Sequence, residues 1–140
     1  MISAKPIYGL KALVEIAICG QNAAHILGLA KKTNAPVKYL EQVLAALSKA
    51  GILNAKRGIG GGYRIARSLS DICVIDILKV LEGKNENDLF YKAKEVNDSV
   101  DEWLKELSKM LILKLEGTTL EDLVENEKII RQCKASMYYI

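Results

Sequence analysis

Apolar residues recur at helical spacing from the start of the chain. Leu10, Leu13, Val14, Ala17 and Ile18 share one side of "IYGLKALVEIAIC", which predicts an amphipathic helix over 7–19 ending near Gly20. "HILGLAKKT" predicts a short second helix over 25–33. After it, Thr33, Asn34 and Ala35 form a tight turn in which Asn34 accepts a left-handed conformation at modest cost. Pro36 suits the first turn of a third helix over 36–50, where its missing N–H is not needed. That helix turns Leu40, Val43, Leu44 and Leu47 inward and Lys38, Gln42, Ala45 and Lys49 outward, and it stops before Gly51. Two short helices joined by a tight turn, the second with polar groups at its N-terminal end, have the layout of a helix-turn-helix. Other helical hairpins share that pattern.

The period then changes from helical to two-residue. Leu53, Ala55 and Arg57, followed by Tyr63 and Ile65, alternate about the glycine-rich centre of "ILNAKRGIGGGYRIA", which predicts a two-stranded hairpin in the position of a wing. A nucleotide-binding loop is not expected here: G-x-G-x-x-G fails at Tyr63, and no G-K-[ST] follows. "LSDICVIDILKVLEG" predicts a helix over 69–83 with Ile72, Ile75, Leu78 and Leu81 or Val80 inward, closed by Gly83. "KNENDLFYKAKEVND" has no firm period and reads as a linker. Val100, Leu104, Leu107 and Leu111, with Trp103 and Met110 alongside, predict a long apolar helix that needs a partner helix, closed by Gly117. Thr118 and Glu121 form a capping-box pattern that opens a last helix with Leu120, Leu123 and Val124. The tail "RQCKASMYYI" carries no signal.

The fold class expected is therefore mainly α with a small β-hairpin wing. A winged helix-turn-helix head over 1–83 is followed by a linker over 84–99 and a dimerisation helix and C-terminal helix over 100–140. A chain of 140 residues, half of them apolar, suffices for such a core.

Charge sharpens the functional expectation. Residues 1–67 carry +8 and residues 68–140 carry −5, although the net charge is only +3. A cationic first half suits a nucleic-acid or anionic-membrane face, with a solvated basic surface as the plainer alternative. Cys19, Cys73 and Cys133 lie far apart and odd in number, which suits neither a disulfide framework nor a metal knuckle. No apolar run reaches membrane-span length and the start lacks a signal-peptide layout, so a cytoplasmic protein without a membrane partner is expected. The only histidine, His25, and the dispersed cysteines make no catalytic grouping, so no enzyme is expected.

Tyr8, "KYLEQVLAALSKAGIL" (38–53), "RGIGGGYRIAR" (57–67), "IDILKVLEG" (75–83) and "TTLEDL" (118–123) together resemble the Rrf2 family of BadM/IscR-type winged-helix transcription regulators. The resemblance implies a homodimer on double-stranded DNA, built on the long helix through Val100, Trp103, Leu104, Leu107, Met110 and Leu111. It implies base reading by Lys38, Tyr39, Glu41 and Gln42, minor-groove contact by Arg57 and Gly58, and a backbone contact by Tyr8. The chemistry agrees. Gln42 can pair bidentately with adenine, Glu41 can accept from a cytosine amino group, and Arg57 suits a narrow minor groove. Lys31, Lys32, Lys49, Lys56 and Arg64 are expected on phosphates, with Gly58, Gly60, Gly61 and Gly62 letting the wing backbone approach the sugar-phosphate rim.

Plainer roles stand beside these. Tyr39 would fill the interface between helix and wing, Tyr63 would pack, Glu41 would pair with Lys38 or Lys49, and Arg57 would be an idle surface cation.

The chain departs from the family in two places. Many relatives hold an iron–sulfur cluster through cysteines in the linker, but residues 84–99 contain neither cysteine nor histidine, so no cofactor is expected. Ile7, preceded by Pro6, stands where the family has a basic residue. The function expected is a sequence-specific regulator, a repressor acting on a near-palindromic operator. The alternative is a protein-interaction module that docks on a metabolic enzyme or another regulator. A protein or small-molecule effector remains open, with Phe90, Tyr91 and Trp103 able to line a cavity or simply to pack.

Overall fold

The computed structural model of the chain describes residues 4–83 and 95–137. Along the chain run α1 (Ala4–Cys19), α2 (Ile26–Thr33), α3 (Val37–Lys49), the antiparallel strands β1 (Leu53–Lys56) and β2 (Gly62–Ile65), a 3-10 turn (Leu69–Asp71), α4 (Val74–Glu82), α5 (Ser99–Glu116) and α6 (Leu120–Met137). The expected class, helical with a hairpin wing, is the one observed. Phe90 and Tyr91, and most of the expected linker, lie outside the described residues.

Local sequence explains the head. Asn34 ends α2 at φ 55°, and the Thr33 hydroxyl, buried, donates to the Leu29 carbonyl at 2.7 Å. Pro36 occupies the N-cap position of α3 in extended conformation. At the other end Gly51 takes φ +77°, the Gly51 N–H reaches the Ser48 carbonyl at 3.1 Å, and the Ile52 N–H reaches the Leu47 carbonyl at 3.0 Å. This is a Schellman closure with its usual apolar contact, since Leu47 and Ile52 are both fully buried. The closure turns the chain directly into β1.

One core joins distant parts of the chain. Leu13 and Ile16 of α1, Leu40, Leu44 and Leu47 of α3, Leu53 of β1 and Ile77 of α4 pack with Leu120 and Val124 of α6. Burying side chains of this size stabilises by roughly 1.5–3 kcal/mol each. The last helix thus returns to the head and packs on α1. Its continuation to Met137 gives structure to a tail that had no sequence signal.

The ends of α1, α2 and α3 lie within one to three residues of expectation, and two later boundaries differ in kind. The helix expected over 69–83 is broken: a 3-10 turn precedes an extended Ile72–Cys73, and α4 starts only at Val74. The Val74 N–H donates to the Thr118 carbonyl at 2.9 Å and the Leu120 N–H to the Ile72 carbonyl at 2.8 Å, so a bridge between Cys73 and Thr119 replaces helical bonds. The capping box is one residue later than Thr118 and Glu121. Thr119 N–H donates to Asp122 Oδ2 at 2.9 Å, and Asp122 N–H donates to Thr119 Oγ1 at 3.1 Å. Thr118 instead donates its hydroxyl to the Lys114 carbonyl at 2.7 Å, closing the end of α5.

Candidate nucleic-acid interface

The N-terminal turns of α3 present Lys38, Glu41 and Gln42 to solvent, at positions three and four apart that share one helical face. Behind them Tyr39 is half-buried. Its ring meets that of Tyr8 from α1 edge to face, with centroids 5.7 Å apart and planes inclined by 79°. Tyr8 is therefore a support for the start of α3, and α1 is the packing partner of Tyr39 in this contact.

The hairpin stands next to α3, with which β1 packs. Its strands pair from Leu53–Ile65 to Lys56–Gly62, leaving Arg57–Gly61 as the tip. Lys56 and Arg57 are exposed. Gly58 and Gly60 have φ +86° and +73°, the region glycine enters without penalty, and the Gly61 N–H closes the turn on the Gly58 carbonyl at 2.9 Å. Gly61 and Gly62 serve the chain itself. A Cβ on Gly61 would lie 2.4 Å from the Lys56 carbonyl oxygen, and one on Gly62 2.7 Å from that of Ala24.

Two contacts tie the wing to the loop between α1 and α2. Ala24 and Tyr63 exchange backbone hydrogen bonds of 3.0 and 2.8 Å, a bridge that extends the hairpin. Arg64, expected on a phosphate, is half-buried and braces the wing: Nε donates to the Gln21 carbonyl at 2.9 Å and Nη2 to the Gly60 carbonyl at 3.2 Å. Tyr63 packs against the core, as its plainer role foresaw.

The charge balance of the first half of the chain favours anions. Residues 1–67 contain two acids, Glu15 and Glu41. The Glu15 carboxylate, nearly buried, is paired with Arg131 of α6 and lies 3.7 Å from Lys32 of α2. Arg131 also donates through Nε to Glu127 at 2.9 Å, and that bond, with the charge of Glu15, raises its already high pKa further. No sequence signal linked Glu15 with Arg131, 116 residues later. Lys32 is thereby drawn toward Glu15, while Lys31 and Lys49 are exposed.

A second surface is apolar. Helix α5 has no buried residue; Trp103 is 59% and Met110 68% exposed, and Val100, Leu107 and Leu111 are also exposed, with Leu104 half-buried. Separately, α1, α2 and α6 frame a groove of about 640 Å³ with Ile7, Leu10, Val14, Leu123 and Ile130 among its apolar lining and charges of both signs, Lys11, Lys32 and Lys134 with Glu15 and Glu127. No helix among the described residues is long and apolar enough to cross a membrane.

The family model for Rrf2, described as an iron-dependent transcriptional regulator, matches residues 2–126. The chain belongs to the Rrf2 family. Among its relatives, the HTH-type transcriptional regulator CymR of Bacillus subtilis is 31% identical over 145 residues, covering 99% of both chains. The HTH-type transcriptional regulator IscR of Cereibacter sphaeroides is 30% identical, covering 96% of this chain and 92% of that one. The solved structure of B. subtilis CymR, the global cysteine regulator of that organism, matches with a TM-score of 0.78 over 90% of this chain and 97% of its own, at 31% identity. T. potens IscR matches with a TM-score of 0.72 at 29% identity, over 91% and 88%. This Rrf2 member is thus a helix-turn-helix transcriptional regulator, and its relatives are regulators rather than enzymes.

The described residues offer no seat for the iron of the family description. Cys19 and Cys73 are half-buried and Cys133 is exposed, on separate elements, and the described residues contain no group of three His, Cys, Asp or Glu side chains able to hold a metal. With no cysteine or histidine in 84–99, this donor set does not fit a cluster. His25 sits exposed at the N-cap position of α2 and makes no side-chain cap bond.

Proposed function

We propose that this Rrf2 regulator is a cytoplasmic homodimer that represses transcription by binding a near-palindromic operator. One observation carries the reading. An exposed Lys38–Glu41–Gln42 edge and a braced wing bearing Lys56 and Arg57 belong to a head whose first 67 residues hold ten Lys or Arg against two acids, one of which, Glu15, is paired with Arg131. Gln42 and Glu41 read bases, Arg57 and Gly58 enter the minor groove, and Lys31, Lys49 and Lys56 hold phosphates. Arg64 and Tyr8 position these groups from behind.

The exposed stripe of α5 supports the homodimer, because about 27 Å of helix with no buried residue needs a partner surface. The groove framed by α1, α2 and α6 is a suitable seat for the second copy's α5: Ile7, Leu10, Val14, Leu123 and Ile130 offer the stripe an apolar lining. Two heads so joined cover successive major grooves, about 34–36 Å apart, and occupancy of such a site blocks a promoter. An effector, whether protein or small molecule, would act by changing that spacing.

Selection of genomic fragments by the purified chain, combined with sedimentation, tests this. Enrichment of inverted repeats by a dimer is expected, and Leu107→Glu is expected to yield monomers that lose operator affinity more than about tenfold. A monomeric wild type, or enrichment no better than random DNA, rejects it.

A further inference from the structure

We propose that Ile59, at the wing tip, is an apolar wedge that enters the minor groove beside Arg57 and selects an easily unstacked pyrimidine–purine step next to the half-site. This rests on the DNA-binding reading above. Ile59 is 105% exposed, more than any other large apolar side chain among the described residues, so it takes no part in the core. It occupies the turn closed by the Gly58–Gly61 hydrogen bond, between two glycines at positive φ, neither of which offers a side chain to cover it.

The wing cannot readily fold back to bury this side chain. Arg64 grips the Gly60 carbonyl from one side and the Gln21 carbonyl from the other, and the Ala24–Tyr63 bridge anchors β2. The turn therefore holds a β-branched side chain, stiff about χ1, in water at the tip of a braced hairpin. Solvation of that apolar surface is relieved when it meets deoxyribose faces or the edge of a base step. Arg57, two residues away, supplies the attraction that brings the tip to the negative minor groove.

Isoleucine is among the side chains that wedge between base steps from the minor groove, kinking the duplex. Such a wedge favours TA or CA/TG steps, which unstack easily, over stiff A-tracts. Arg57 alone would favour the narrow groove of an A-tract, so the two residues make opposite demands on flanking sequence. Ile59 decides between them.

The test uses the full chain and a duplex obtained by genomic selection, with the two-base steps flanking the footprint randomised. Wild type is expected to enrich pyrimidine–purine steps roughly five- to tenfold over A-tract steps, on the scale of single base-pair discrimination. Ile59→Ser is expected to lose that enrichment to within about twofold and to straighten the duplex in end-to-end energy transfer. Ile59→Leu should retain both. Thermal melting confirms that the exposed substitution leaves the fold intact. If Ile59→Ser keeps the wild-type step preference and the wild-type bend, the wedge is refuted while DNA binding stands; if wild type binds no duplex, the DNA reading fails and takes the wedge with it.

Discussion

The guanidinium of Arg64 and the carbonyl of Gln21, 43 residues apart, are joined by a 2.9 Å hydrogen bond that fixes the wing to the loop entering the helix-turn-helix. An arginine in a glycine-rich cationic hairpin would ordinarily be assigned to a phosphate. Here its Nε and Nη2 donate to the backbone carbonyls of Gln21 and Gly60.

A phosphate contact and a brace differ in salt dependence. Removing a phosphate contact lowers the slope of log K against log salt by about 0.9, whereas removing a brace weakens binding without changing the number of ions released. Arg64→Ala is expected to lower operator affinity about three- to tenfold with an unchanged slope, and to speed amide exchange at Gly61. A slope reduced by about one would return Arg64 to the phosphates.

Glu15 links three helices through Lys32 and Arg131, and its Oε2 is buried without a hydrogen bond. Arg131 and Lys32 are largely exposed, which limits the value of the network by solvent screening. Glu15→Gln is expected to cost about 1 kcal/mol in urea unfolding, with Arg131→Ala adding little to it in a double-mutant cycle. Fully additive losses would show that the two residues are energetically separate.

Asp122 gives α6 a pH-dependent start. The Thr119 backbone N–H first, and its hydroxyl second, hold the Asp122 carboxyl below the ordinary 3.8, with Lys114 adding a smaller effect in the same direction. Because the folded pKa is depressed, the stabilisation is fully present above about the unfolded value and is lost as pH falls through the folded one. The difference in urea midpoint between wild type and Asp122→Asn is therefore expected to shrink from about pH 6 to about pH 3. A difference independent of pH contradicts this role.

Much of the head was legible because its determinants are local. The Leu40–Leu47 stripe, the left-handed Asn34, Pro36 and the Gly51 closure each declare themselves within a few residues. The break at Ile72–Cys73 did not, since its cause is a backbone partner at Thr118–Leu120 some 45 residues on, and the intervening apolar period is continuous with α4. "TTLED" admits two capping registers; the reciprocal Thr119–Asp122 bonds form the later one while the Thr118 hydroxyl is engaged by the Lys114 carbonyl. At the interface, residue types announced cations and glycines but not their partners. Gly62 makes room for Ala24 and Arg64 binds carbonyls, both consequences of a loop that sequence spacing does not bring near the wing.

The head's exposed cations are expected to engage DNA, Lys56 at a phosphate and Arg57 in the minor groove. The direct measurement is the operator dissociation constant across a salt series for wild type and Lys56→Ala. A linear fall of log affinity with log salt is expected, with a slope of about −0.9 per phosphate neutralised, made shallower by about one in Lys56→Ala. Binding that is indifferent to salt, or a slope that Lys56→Ala leaves unchanged along with its affinity, would contradict DNA binding through this cationic surface.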